Sequence, residues 1–373
     1  MSKLIYLGCY SCNQERAANP AAMNMMDYII SSINNVGKSL RVLSHASTAD
    51  GSSKDRETIQ LSGDTELVYL KYLGKTGTSL LSRAIRRMKV KWLLYKELGD
   101  LINDGDTVIV YHSLSYIDAL RKLRRKKKFK LILQVCEIYS TILENEKMEK
   151  KELAFINEAD SYIFSSDLLE KRLNNGKKPY AICLGNYTPE PKLGTPKDDK
   201  IHITYAGTFN LVKGGVLDAI RCAEFLDEGY HLHLFGHTEK SQMKIIIKEL
   251  MQVGAKTRCE ITYEGFFSGD EFKKRLQENH IGLSTQNMEK AFNETSFPSK
   301  ILTYISNGLR VVSGKIPAVY TSAVGGDVAY YDKRDAEEMA RAIRSVCLDD
   351  DYDGRKIVSK LDDEFKKELV RLI

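Results

Sequence analysis

No stretch of this chain reaches the roughly eighteen uninterrupted apolar residues that a membrane-spanning helix requires. The opening MSKLIYLGCYSCNQ has one lysine and a short apolar run broken at Gly8, which is too little for a signal-peptide core. A cytoplasmic protein is expected. The seven cysteines are scattered and odd in number, a pattern that fits reduced thiols better than a disulfide framework. Cys9 and Cys12 form a lone CxxC with no second pair and no clustered histidines, so no metal site is expected. The first strand-like run lacks the GxGxxG of a dinucleotide fold. Gly74-Lys75-Thr76 fails as a phosphate loop because position 69 is Tyr where Gly is needed. Solenoid repeats and low-complexity tracts are also absent. What remains is a globular composition, 43% hydrophobic and 28% charged over 373 residues, which is enough for two domains with full cores.

The net charge of +6 is unevenly spread: residues 1–190 hold 29 Lys and Arg against 22 Asp and Glu. An anionic partner met by the first half is the natural reading. Two stretches carry most of the excess. The pattern over Leu80 to Gly99 predicts a helix with Leu81, Ala84, Ile85, Met88, Trp92 and Tyr95 on one side and Arg83, Arg87 and Lys91 on another. Such a helix can lie on an anionic bilayer, or it can face a core with a solvated basic back. The run RKLRRKKKFK at 121–130 has no interleaved stacking aromatics, and nucleic acid is therefore not expected as a partner.

In chain order, Leu4 to Gly8, a long polar loop, a helix over Ala21 to Val36 and a strand over Ser39 to Ser44 read as the start of a doubly wound sheet. Further strands are expected at Asp106 to His112, Leu131 to Cys136, Asp160 to Ser165 and Tyr180 to Leu184. Two of these deliver His112 and Glu137 to neighbouring strand ends, where they can share the mouth of the first domain. Thr188 to Lys200 holds three of the seven prolines and no periodicity, and reads as a linker. A second alternation of strands and helices follows from Ile201, and a charged amphipathic helix closes the chain from Arg355. The expected layout is thus a first domain over 1–188, a linker at 189–200, a second domain over 201–354 and a final helix at 355–373. Both domains are α/β and Rossmann-like.

The densest stretch is FNETSFPSKILTYISNGLRVVS, residues 292–313. A polar turn enters a short amphipathic helix, Asn307-Gly308 ends it, and an apolar strand follows. Pro298 suits a first helical position and Ser296 a cap. Glu294, Ser299 and Lys300 then crowd a helix N-terminus, where backbone amides and the helix dipole favour a phosphate.

Taken together, these landmarks resemble a glycosyltransferase of the GT-B fold, most like family 4, the retaining sugar-nucleotide-dependent enzymes of bacterial capsule and lipopolysaccharide assembly. Gly207 to Gly214 matches the length of that family's glycine loop and supplies Lys213. LHLFG at 232–236 and ITYEGFFSGDEF at 261–272 are similar to its following strands, and FPSKILTYISNGLRVV to its donor signature. The resemblance implies two domains facing a central cleft, with the last helix returning to the first domain. It implies donor contacts from Gly207, Thr208, Asn210, Lys213, Gly236, His237, Glu294, Thr295, Ser296, Phe297, Pro298, Ser299, Lys300 and Thr303. Lys213, Lys300 and Glu294, with His112 from the first domain, would be the catalytic candidates. No cofactor is implied, only a nucleoside-diphosphate sugar as co-substrate, and the chemistry would be metal-independent. The acceptor would be a polyprenol-pyrophosphate-linked glycan met at the inner face of the cell membrane. The sequence departs from the pattern where the family's arginine falls on Thr208 and its paired glutamates on Thr295 and Thr303. Two other readings stay open: a nucleotide-sugar epimerase, and a catalytically degenerate partner subunit.

Overall fold

The computed structural model describes residues 2–74, 79–143, 145–209, 211, 215–286, 288, 295–348 and 351–373. The chain divides into two compact units, the first made of Met1–Asn186 with Asp363–Ile373 and the second of Tyr187–Asp362.

The first unit's strands are β1 (Leu4–Gly8), β2 (Leu40–Ser44), β3 (Glu57–Gln60), β4 (Thr65–Tyr69), β5 (Thr107–Tyr111), β6 (Lys130–Val135), β7 (Ser161–Phe164) and β8 (Tyr180–Ile182). They form one sheet in the order β3-β4-β2-β1-β5-β6-β7-β8, parallel throughout except for the edge strand β3. Its helices are α1 (Pro20–Asn35), α2 (Leu80–Leu101), α3 (Ile117–Arg124), α4 (Tyr139–Ile142), α5 (Glu146–Ile156) and α6 (Asp167–Leu173). Buried Ile5, Leu7, Val108, Val110, Leu131 and Leu133 make a near-continuous apolar layer, as parallel strands covered on both faces require.

In the second unit, β9 (Ile201–Ala206), β10 (Tyr230–Phe235), β11 (Glu260–Gly265), β12 (Ile281–Ser284), β13 (Arg310–Gly314) and β14 (Val328–Tyr331) form an all-parallel sheet ordered β11-β10-β9-β12-β13-β14. Its helices are α7 (Gly215–Cys222), α8 (Lys240–Gly254), α9 (Gly269–Gln277), α10 (Ser299–Ser306), α11 (Pro317–Tyr320) and α12 (Ala336–Arg344), and α13 (Gly354–Leu372) ends the chain. This is the doubly wound order in which the winding reverses beside the first strand, here between β9 and β12. In open sheets of this kind the carboxyl ends flanking the reversal are where ligands bind.

Several expectations change. The hairpin-like pair β3 and β4, and the whole stretch α11, β14 and α12, have no counterpart in the sequence reading. In the second alternation, α7 stops at Cys222 and gives way to a short 3-10 turn. The proline-rich segment is docked on the second unit: Gln277 Nε2 donates to the Pro191 carbonyl at 2.9 Å, and the Leu193 amide donates back to Gln277 Oε1 at 2.7 Å. Glu190 is held by the Lys273 ammonium at 2.8 Å. The cysteines are free thiols, with Cys9 and Cys12 each beside a different tyrosine hydroxyl, of Tyr116 and Tyr69, at 3.5 Å.

Candidate functional site

Three loops leave the carboxyl ends of β9, β10 and β11 edge to edge. The Gly207 amide donates to the Phe235 carbonyl at 2.9 Å, Phe209 to His237 at 3.0 Å, and Gly236 to Gly265 at 2.8 Å. Packing this close needs glycine: a Cβ on Gly236 would lie 1.9 Å from the Gly207 oxygen. Gly207 itself has φ +127, a conformation side chains resist.

Tyr304 locks α10 onto this edge. Its buried hydroxyl accepts from the Ala206 amide at 2.9 Å and donates to the Leu283 carbonyl at 3.2 Å, joining the ends of β9 and β12. The ring lies flat over Gly282, where any Cβ would come within 2.2 Å of it. The first turn of α10 is thereby fixed at the winding reversal, and so is Lys300, its second residue. The Lys300 ammonium sits 3.8 Å from the centroid of the Tyr205 ring, a cation–π contact. It also lies 3.8 Å from where a Gly207 Cβ would be. On the other side of Tyr205, its hydroxyl is 2.8 Å from the Cβ position of Gly215, the first residue of α7, which Thr285 pins through its hydroxyl to the Gly215 carbonyl at 2.6 Å. A lysine ammonium, a glycine-turned loop and the starts of two helices thus converge around Tyr205, the arrangement that suits a phosphate.

The predicted residues fall into several groups. Gly207, Gly236 and Lys300 are brought together, and exposed Thr208 and His237 belong to the same loops, the His237 ring edge-on to Phe266 at 4.7 Å. Pro298 is buried and is the N-cap of α10 rather than its first residue, and no side chain among the described residues caps the helix, so the expected role of Ser296 is corrected. Among those residues the first-turn amides meet no competing side-chain acceptor. Thr295, Ser296 and Phe297 are half-buried in the approach to the helix, and Ser299 is exposed at its start. The Thr303 hydroxyl turns back to the Ser299 carbonyl of its own helix at 3.3 Å. Asn210, Lys213 and Glu294 lie outside the described residues.

His112 is not at an open mouth. It is 1% exposed, and its Nε2 is 2.7 Å from Oε1 of fully buried Glu152. Glu152 also accepts the amides of Tyr139 at 3.0 Å and Ser140 at 2.8 Å. This pair ties β5 to α4 and α5, and burial is the physical reason that the expected catalytic placement of His112 is corrected. The expectation that histidines are not clustered is corrected too. His202, His231 and His233, far apart in sequence or on alternate positions of a strand, are gathered at the amino end of the second sheet.

No family model matches the chain, and no curated protein sequence matches it. Solved structures do. A sucrose-phosphate synthase from Thermosynechococcus elongatus superposes with a TM-score of 0.70 at 13% identity, covering 99% of this chain and 98% of its own. An E. coli structure described as trehalose-6-phosphate bound with UDP-2-fluoro glucose gives 0.64 at 13%, covering 100% and 96%. A UDP-forming α,α-trehalose-phosphate synthase from Burkholderia xenovorans in complex with glucose-6-phosphate gives 0.63 at 12%, covering 99% and 100%. At these identities the likeness establishes architecture: the chain has the GT-B fold, with two Rossmann-like domains.

Proposed function

We propose that the protein is a glycosyltransferase that moves a hexosyl group from a nucleoside-diphosphate sugar to an acceptor. The observation that carries this reading is the position of Lys300, an ammonium held over Tyr205 and against Gly207 at the start of α10. Breaking the anomeric C–O bond of such a donor leaves negative charge on the departing pyrophosphate. A preorganised cation and helix-start amides stabilise that charge as it develops. In this reading Lys213 adds a second cation from the glycine loop, and Glu294 meets the sugar. The UDP ligands and products of the structural relatives favour UDP-sugars as the donors to try first.

For the acceptor, the first domain favours an anionic lipid-linked glycan, as expected of the family 4 enzymes of surface polysaccharide assembly. The support is α2, whose first thirteen residues carry exposed Leu80, Leu81, Met88 and Trp92 among Arg83, Arg87, Lys89 and Lys91. A soluble sugar phosphate is the second reading, favoured by the glucose-6-phosphate complex among the relatives. A panel of sugar nucleotides assayed for hydrolysis, then for transfer to polyprenol-pyrophosphate glycans and to sugar phosphates, tests both. Lys300→Ala is expected to lower kcat/KM about 100-fold, with Lys300→Arg recovering part of it. Unchanged turnover in Lys300→Ala would remove this site from the chemistry.

A further inference from the structure

We propose that His202, His231 and His233 form a zinc site at the amino end of the second domain's sheet, separate from the donor site. One nitrogen from each ring lies within 4.8 Å of the others. Strand register explains the convergence. His231 pairs directly with His202 across β10 and β9, and His233, two residues on, shares its face. The set is sheltered but reachable: His202 is 6% exposed, and the side chains of His231 and His233 are each 13% exposed.

The hydrogen bonds around the rings call for a cation. His202 Nε2 lies 2.9 Å from Asp198 Oδ1, and His233 Nδ1 is hydrogen-bonded to Glu264 Oε1. An ionised carboxylate can only accept, so each of these outward nitrogens carries its ring's proton. The inward nitrogens, His202 Nδ1 and His233 Nε2, face each other at 2.8 Å. In neutral rings both are then bare lone pairs, which repel unless something positive lies between them. Carboxylate on the outer nitrogen and metal on the inner one is the usual arrangement for zinc-bound histidine. Tetrahedral Zn–N bonds of about 2.0–2.1 Å put ligand nitrogens about 3.3 Å apart, so small rotations of the two rings would admit the ion. His231 Nε2 lies 2.8 Å from the Thr262 hydroxyl and 3.6 Å from Glu260 Oε1, so a water or that carboxylate would take the fourth position. An all-imidazole set with one carboxylate or water suits Zn2+ better than a hard cation.

The role that follows is structural. His202 precedes Gly207 by five strand residues, or about 16 Å at the usual rise, so zinc here would brace β9 against β10 rather than touch the donor. Zinc titration of chelator-stripped protein by calorimetry and thermal unfolding tests the assignment. One zinc per chain is expected, with a rise in melting temperature, and X-ray absorption of the zinc-loaded wild-type chain should show only N and O neighbours. Glu264→Gln, which keeps all three ligands, is expected to weaken binding about 10- to 100-fold. His202→Ala with His233→Ala is expected to abolish it. Sulfur in the zinc shell would move the site to the exposed cysteines and overturn the proposal. The absence of any saturable binding by about 100 µM zinc, far weaker than a structural site, would overturn it as well.

Discussion

Glu152 shows how a buried charge can be a folding element in this protein. Burial by itself would raise its carboxyl, but hydrogen bonds from His112 and Ser140 outweigh that effect and hold it below the ordinary range. A depressed folded value means the carboxylate's contribution is complete above the unfolded value of 4.5 and is lost as pH falls through the folded one. Glu152→Gln is therefore expected to cost about 2–3 kcal/mol at pH 7, the worth of charge-assisted hydrogen bonds. The gap to wild type should narrow as acid protonates the wild-type group. Urea unfolding of both proteins between about pH 7 and pH 3.5 measures this, and a gap that stays constant would trace the loss to shape instead of charge. Sequence could not supply that pairing, since His112 and Glu152 are 40 residues apart and meet only through packing. The histidine cluster was hidden for a similar reason. The alternation His231-Leu232-His233 puts two rings on one strand face, but adding His202 requires the β9–β10 register. The place of Lys300 at a helix start was legible, because a helix start after Phe297-Pro298 is local chemistry. The missing Ser296 cap was not, because capping depends on backbone angles at the very junction.

Among the elements, α2 departs most from ordinary packing. Only its last turns, at Leu94, Glu97 and Leu98, are buried. Leu80 is 83% exposed and Trp92 60% exposed, so the face expected to meet either a core or a bilayer has no core beneath it over its first three turns. Arg86 anchors that end, through its Nε to the Gly74 carbonyl at 2.8 Å and its Nη2 to the Leu73 carbonyl at 2.9 Å. An apolar strip bordered by basic residues gains from insertion at an interface and about 1 kcal/mol per lysine or arginine from anionic lipid. Flotation with vesicles rich in anionic lipid is expected to carry the protein at low salt and release it at high salt. Leu81→Ser with Met88→Ser and Trp92→Ser should abolish flotation while leaving the fold intact, because these side chains pack on little. Equal flotation of the variant, or none by the wild type at low salt, would sink the membrane reading. Elements with strong periodicity, such as α1 and α2, were legible to within a residue or two. The edge strand β3, four residues of alternating exposure, has too short a pattern to stand out from a loop.

Across the whole chain, one helix belongs to both units. α13 starts in the second, where a Cβ on Gly354 would lie 2.4 Å from the Ile305 carbonyl and Arg355 Nε donates to the Glu190 carbonyl at 2.9 Å. It ends in the first, where the Phe365 ring packs tilted against Tyr28 with centroids 5.6 Å apart and Leu369 and Leu372 are buried. The amphipathic pattern was plain in the sequence, and the family resemblance implied a return to the first domain, but the helix's division between two cores was not legible, because amphipathicity names a buried face without naming what covers it. Ending the chain at residue 362 removes Phe365, Leu369 and Leu372, each worth about 1.5–3 kcal/mol when fully buried. That sum approaches the whole stability of an ordinary domain, so the truncated protein should lose cooperative unfolding of the first unit. The second unit keeps all of its residues, Tyr187–Asp362, and its transition should persist. Hydrogen exchange followed peptide by peptide separates the two: protection is expected to vanish from α1 and β1 and to survive in β9 and β12. Retained protection in β1 would show that the first core closes without the helix. Uniform loss throughout would show that the second unit depends on the first for its own fold.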